Sequence, residues 1–482
     1  MRAVYVLLPL AVLGCQNPGL KPVESSPDTE EPAGADPVQV DPPEVEDEDT
    51  DPGEDPCAGD WDGDGINDCD DDCPIFVATD GRVDGAGTPV DPMRYVQDAI
   101  DASPAIGCSS IRLQPGTYAE VVDMHTYDLD LGPVVPDSRP TLEGDGTHPV
   151  VTIAGGQTAS TRVAGLRITG GGGVRGAGLY IEGASPRILD NHIEDNHTTE
   201  DLTSTVPVAV SDPLQGGGIY LRDSDAEIRN NLIRDNDAGF GGPEDGSDGG
   251  GICVRNGAPR IEGNQITGNT AGDGGGLWFA RSDAMVLRNL ISGNMADDEE
   301  SLPGGTGAGG QGGGINVQIG GEDMVIAGNI ITHNLASTHG GGVSIYEPTA
   351  DGESPLVLNN TIAFNTLEQG SYGAGVLARS TTAPRFFSNI LYRNDGVGAW
   401  LGPNAEFAYN VVFGHAAGDY AGDQTSPTLN YDVDPGFSSV SDDGDWTNDV
   451  WTPTSPMSGH PDHPDAGGSA ATVGAYGGPW PH

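Results

Sequence analysis

The chain has 482 residues, with 20 Lys+Arg against 73 Asp+Glu, and a formal net charge of −53. That balance excludes nucleic acid, whose phosphates need a basic footprint, and docking by charge on anionic lipid heads. With 75 Gly, 37 Pro and only 36% apolar residues, a single thick core is excluded, whereas a thin core repeated along an axis is compatible.

In chain order, the first element is a targeting signal. Met1-Arg2 is a short basic start, and Ala3 to Leu13 is an apolar stretch interrupted by Pro9. At about eleven residues it is too short to cross a bilayer roughly 30 Å thick as a helix, so it reads as a secretory signal. It closes on Val12-Leu13-Gly14-Cys15, which resembles the lipobox of bacterial lipoproteins. The resemblance implies a signal peptide over residues 1–14, cleavage before Cys15 and lipidation of that cysteine. Gln16 in place of aspartate implies sorting to the outer membrane or cell surface. No later segment holds 18 uninterrupted apolar residues, so lipid is the expected anchor.

Residues 15–56 form a tether. From Gln16 to Pro56 there are nine prolines and fourteen acidic residues, with Lys21 the only basic one. Such a segment cannot bury enough surface to offset its ordering entropy, and self-repulsion with proline keeps it extended.

Residues 57–89 carry a calcium motif. Asp60, Asp62, Asp64, Asp68 and Asp71 stand at loop positions 1, 3, 5, 9 and 12, with Gly65 at the sharp turn and the Ile66 carbonyl at position seven. Calcium takes six to eight hard oxygens in a flexible shell, and this spacing wraps them around one point. With Cys73-Pro74 following and no flanking amphipathic helices, the stretch Asp60 to Pro74 resembles a thrombospondin type 3 repeat, which implies bound calcium and closure by a disulfide. Export permits disulfides. Besides Cys15 the chain has Cys57, Cys69, Cys73, Cys108 and Cys253; spacing leaves their pairing open, and distant Cys253 is the candidate free thiol.

Residues 90–417 repeat. Gly216-Gly-Gly-Ile219-Tyr-Leu221 precedes Ile228-Arg-Asn-Asn231-Leu-Ile233-Arg-Asp-Asn236, and Gly249-Gly-Gly-Ile252-Cys-Val254 precedes Ile261-Glu-Gly-Asn264-Gln-Ile266-Thr-Gly-Asn269. Further copies centre on Asn191, Asn289, Asn329, Asn360, Asn389 and Asn410, and an early divergent copy has Gly165 and Gly170 in the asparagine positions. Each unit offers three alternating runs too short for helices, and only stacking buries their single apolar faces. The fold class is all-β: three-strand coils, about ten to twelve of them at roughly 4.8 Å each. The pattern resembles the right-handed parallel β-helix of the pectate-lyase-like superfamily over about residues 90 to 440. That resemblance places the first asparagine of each unit in a tight turn, laddered along the axis. Asparagine tolerates left-handed turn backbone, so these residues read as structural, not as ligands.

A short capping helix is expected from Asp91-Pro92 to Ala102, with Tyr95 or Val96, Ala99 and Ile100 on one side, followed by a first strand over Ile111 to Tyr118. Residues 418–482 read as an irregular C-terminal cap, through Asp434-Pro-Gly-Phe437 and Gly474-Ala-Tyr-Gly-Gly478.

Insertions over 197–215, 237–248 and 295–311 gather at one corner, which marks a binding face. If Ile219 and Leu221 point inward, Tyr220 and Arg222 point outward. Down the stack the outward rows are Tyr180, Tyr220, Cys253, Trp278, Asn316, Ser344, Leu377 and Trp400, and beside them Glu182, Arg222, Arg255, Ala280, Gln318, Tyr346 and Arg379. Exposed aromatics stack on sugar rings and arginine forks grip carboxylate or sulfate. The expected carbohydrate site is therefore Tyr180, Tyr220, Arg222, Arg255, Trp278 and Trp400, the bland reading being packing under the loops. Asp223 and Asp283 fall in the turn after these strands. Asp297-Asp-Glu-Glu300, His333 with His339, and His460-Pro-Asp-His463 are weaker metal candidates. The expectation is a monomeric, calcium-stabilised surface lipoprotein that binds carbohydrate, anionic polysaccharide included. A polysaccharide lyase or glycoside hydrolase using the same cleft, and a structural or adhesive rod without ligand, are the alternatives.

Overall fold

In the computed structural model, the described residues are 74–199, 214–239, 247–297, 310–321, 323–347, 355–369, 372–380, 383–424, 427–440, 449–454, 457–459 and 473–474, all within the unit Glu54–His482. Cys15, the aspartates of the calcium motif with Ile66, and Cys57, Cys69 and Cys73 lie outside the described residues, as do Asp298 to Glu300 and His460 to His463.

The repeat folds as a parallel β-helix. Among the described residues three long sheets contain 12, 11 and 11 strands, each pairing with the strand one coil before and one coil after. A representative coil runs Ile219–Arg222, Glu227–Arg229, Leu232–Arg234. We name the three walls the glycine sheet, the middle sheet and the asparagine sheet. The alternation of apolar residues sets the wall faces. Ile219, Ile252, Leu277, Ile315 and Val343 stack in register on the glycine sheet. Ile228, Ile261, Val286, Ile326 and Val357 do so on the middle sheet, and Ile233, Ile266, Ile291, Ile331 and Ile362 on the asparagine sheet. All of these are fully buried. β-Branched side chains suit this pleated, layered interior.

Two asparagine ladders run along the corners. In the first, the Asn264 amide nitrogen donates to Asn289 Oδ1 at 3.0 Å and to the Ile228 carbonyl, and the same relay passes from Asn191 to Asn430. The second runs from Asn196 through Asn365 to Asn394, where His415 Nδ1 takes over as acceptor at 3.0 Å. The left-handed turn residue is not the asparagine itself but the one before it: Asp190, Asn230, Arg288 and Tyr409 in the first turn, Asp195 and Asp235 in the second. Gly165 and Gly170 accordingly fill that preceding position. Leu166 and Gly171 take the asparagine places, each donating its N–H to the next coil's asparagine.

The stack begins before residue 90. Ile75–Arg82 pairs with Ser110–Leu113 as the first strand of the middle sheet. The capping helix spans Val96–Ile106, later than the expected start, because Pro92 and Met93 lie along that first strand instead. Val96, Ala99 and Ile100 close the end of the core, whereas Tyr95 is exposed. The Glu120 carboxylate accepts the N–H groups of Val96 and Gln97 at 2.9 and 3.1 Å, supplying the cap that Tyr95 cannot. The Ile111-to-Tyr118 stretch is two strands, Ser110–Leu113 and Thr117–Ala119, on different walls. Cys108 is disulfide-bonded, and Cys253 is free and buried.

At the other end Tyr420–Gly422 still pairs with Ala399–Leu401, so the stack continues past residue 417. The chain then forms an antiparallel hairpin, Phe437–Ser439 with Val450–Pro453. Its Phe437 and Trp451 pack against Phe364 and Tyr392 on the outer face of the asparagine sheet, a strap along the flank.

Candidate functional site

The glycine run places two structural demands next to each other. A Cβ on Gly251 would sit 2.6 Å from the Gly276 carbonyl oxygen and 3.2 Å from Asn269 Nδ2, so this position must stay bare for the second ladder to pass beneath it. The following strand is thereby held flat and in strict register, and its outward residues form straight rows. Tyr180, Tyr220, Cys253, Trp278, Asn316, Ser344, Leu377 and Trp400 follow one another as the sequence rows require. The second row holds as far as Ala280. There a bulge brings Ile319, not Gln318, opposite Ala280.

Exposure of the aromatics differs from expectation. Tyr220 and Trp278 are each 1% exposed, and with Cys253 and Ala280 they form a small apolar cluster on the outside of the sheet, with Tyr180 at its border. Tyr180 and Tyr220 stack at 5.5 Å and 15°. The rings support arginines: Arg255 lies 4.9 Å from the Trp278 ring centre and Arg175 lies 5.8 Å from that of Tyr220. A cation over an aromatic face is favourable, more so when desolvated. The layer available to a ligand is therefore guanidinium, and the rings lie beneath it.

Four arginines converge there. A cleft of about 300 Å³ is lined by Arg175, Gln215, Tyr220, Arg222, Arg255, Asn256, Ala280 and Arg281. Arg222 pairs with Glu182 at 3.2 Å, and Glu182 also accepts a hydrogen bond from the Tyr180 hydroxyl. Arg255 pairs at 3.2 Å with Asp248, a buried carboxylate that also accepts a 2.6 Å hydrogen bond from Gln215. Asn256 donates to Asp223 at 2.8 Å in the corner beyond the strand. Burial pushes the Tyr220 hydroxyl up to about 12 and the Cys253 thiol well above its ordinary value, so both stay neutral.

Of the six expected carbohydrate residues, the structure gathers Tyr220, Arg222 and Arg255 in this cleft, with Tyr180 and Trp278 packed against it. Trp400 stands four coils beyond Trp278, beside Tyr372 at 5.6 Å, and belongs to a separate cluster with His339. Arg175, Gln215, Asn256 and Arg281 were not picked out by strand parity. Their signal lay at the corners: Arg175, Gln215 and Asp248 each precede a glycine run and bridge one another in register, and Asn256, just after its floor strand, and Arg281, near the end of the strand Leu277–Ser282, both have positive φ. Asp223 and Asp283 do occupy that second corner, as side-chain acceptors for the next coil. His333 stacks on Phe364 under the strap, and His339 packs on Tyr372, with burial lowering its basicity. Among the described residues no group of three or more His, Cys, Asp or Glu side chains is assembled to hold a metal.

Residues 154–430 match a family model described as a right handed beta helix region. No curated protein matches the sequence. Among solved structures, similarity is found to the crystal structure of pectate lyase Pel9A, at 14% identity over 76% of this chain and 82% of that one, TM-score 0.45. The Azotobacter vinelandii mannuronan C-5 epimerase AlgE4 A-module is similar at 15% identity over 70% of this chain and 95% of its own, TM-score 0.30.

Proposed function

From the premise that the chain belongs to the right-handed β-helix family, we propose that it binds an anionic polysaccharide in the arginine cleft of the glycine sheet. The observation that carries the reading is the convergence of Arg175, Arg222, Arg255 and Arg281 in one cleft on a chain of net charge −53. Forked guanidinium groups match carboxylate and sulfate in pairs, and the side-chain amides of Gln215 and Asn256 offer donors and acceptors to ring hydroxyls. Duplex nucleic acid is a poorer fit, because the rest of the surface repels an extended polyphosphate. The reading includes a lipid anchor at Cys15, the acidic tether as a spacer, and calcium held by Asp60, Asp62, Asp64, Asp68, Asp71 and the Ile66 carbonyl.

The test is an array of acidic and neutral glycans probed with the intact protein and with Arg222→Ala/Arg255→Ala. Acidic glycans should bind selectively, and the double variant, with an unchanged circular dichroism spectrum, should lose about tenfold or more, given roughly 1.5–3 kcal/mol per charged hydrogen bond. Equal binding by the variant would refute the assignment. Formation of unsaturated sugar from a uronate polymer would move the reading to the lyase alternative.

A further inference from the structure

The arginine patch has two ends. In register along the floor stand Glu182, Arg222, Arg255 and Ala280, and past Ala280 the bulge brings in Ile319. Glu182 is a carboxylate pinned by Arg222 and Tyr180, facing any anion that continues toward the N-terminal coils. On the far side the line turns uncharged, and the next arginine in it is Arg379, opposite Tyr346. From the coil of Arg281 that is three steps, about 14 Å at roughly 4.8 Å per coil, beyond a Debye length of about 8 Å at physiological salt. Arg175, Arg222, Arg255 and Arg281 come from four successive coils, so the four cations form a patch three steps long, about 14 Å at roughly 4.8 Å per coil, which stops short of both ends of the rod.

Building on the function proposed above, we infer that the cleft recognises a short anionic oligosaccharide, a few sugars long, and gains nothing from the interior of an extended polymer. Sugars beyond the patch meet Glu182 at one end and an uncharged bulge at the other, within the field of a strongly acidic protein. Affinity per binding register then rises with length only until the patch is filled. A groove built for long polymers would instead carry its cations past these four coils along the rest of the stack.

The experiment titrates the full chain calorimetrically with uronate dimer, tetramer and octamer, dividing each affinity by the number of registers the oligomer offers. The expected result is a gain from dimer to tetramer and less than about a twofold change from tetramer to octamer. Ile319→Arg, which extends the cation line past the bulge, should raise the octamer-to-tetramer ratio several-fold. A corrected affinity that climbs tenfold from tetramer to octamer in the unaltered chain overturns the inference while leaving the anionic-glycan site standing. Absence of binding by any oligomer overturns both. If Ile319→Arg misfolds, the length series on the unaltered chain decides alone.

Discussion

Asn289 illustrates how one side chain holds three coils. Its Nδ2 donates to the Ile261 carbonyl and to Asn329 Oδ1, and its Oδ1 accepts the backbone and side-chain N–H of Asn264. The turn residue before it, Arg288, is left-handed, a conformation that costs about 1–2 kcal/mol for an L-residue, and the ladder bonds, about 1 kcal/mol each net, offset that cost. Asn289→Ala strands buried donors and acceptors, so it should cost about 3 kcal/mol in urea unfolding. A loss below about half a kcal/mol would show that the ladder does not carry the turn. The periodic pattern of asparagines was legible because each one is buried and bonded along the axis. The left-handed neighbour was not legible, since Asp, Asn, Arg, Gly and Tyr all occupy it, and backbone geometry rather than side-chain identity unites them.

The elements that end the repeat set its pH response. His415 replaces the final asparagine of the second ladder, accepting the Asn394 N–H through Nδ1, which requires the neutral ring. Burial lowers its pKa from 6.5 to about 4. Between those values the unfolded chain binds a proton that the folded one does not, so stability contributed by this site is complete above about pH 6.5 and falls as pH drops toward 4. His415→Asn should continue the ladder and flatten that part of the profile. The measurement is the difference in unfolding midpoint between the two proteins at pH 7 and pH 4.5; parallel changes in both would assign the acid sensitivity elsewhere. The hairpin with Phe437 and Trp451 was readable only as an irregular cover. Its place along the flank follows from the outward apolar positions Ile330, Phe364 and Ile390 of the late coils, which no local period in the hairpin itself encodes.

At the scale of the whole molecule, charge works in opposite directions on fold and ligand. Self-repulsion at −53 opposes compaction, and salt screens it. Raising sodium chloride from low to molar concentration should therefore raise Tm while weakening capture of an acidic glycan, read by scanning calorimetry and by binding titration on the same samples. Salt slopes of the same sign would refute the arginine cleft as an electrostatic site. Calcium enters separately: chelation should lower Tm in the intact chain, and alanine at Asp62 and Asp64 should abolish that shift, because a hard-oxygen shell loses affinity with each carboxylate removed. An unchanged Tm on chelation would remove calcium from the account.

The stacked coil, its inward rows of isoleucine and its asparagine corners follow from the sequence by itself, because a period of short alternating runs can bury its apolar faces in only one way, by repeating along an axis. The outward rows were equally fixed by strand parity, up to the bulge after Phe279. What those rows become was decided by tertiary structure alone. Whether Tyr220 and Trp278 meet solvent or support Arg175 and Arg255 depends on corner residues from different coils converging over them. That convergence is a matter of three-dimensional distance between turns, and parity along a strand carries no information about it.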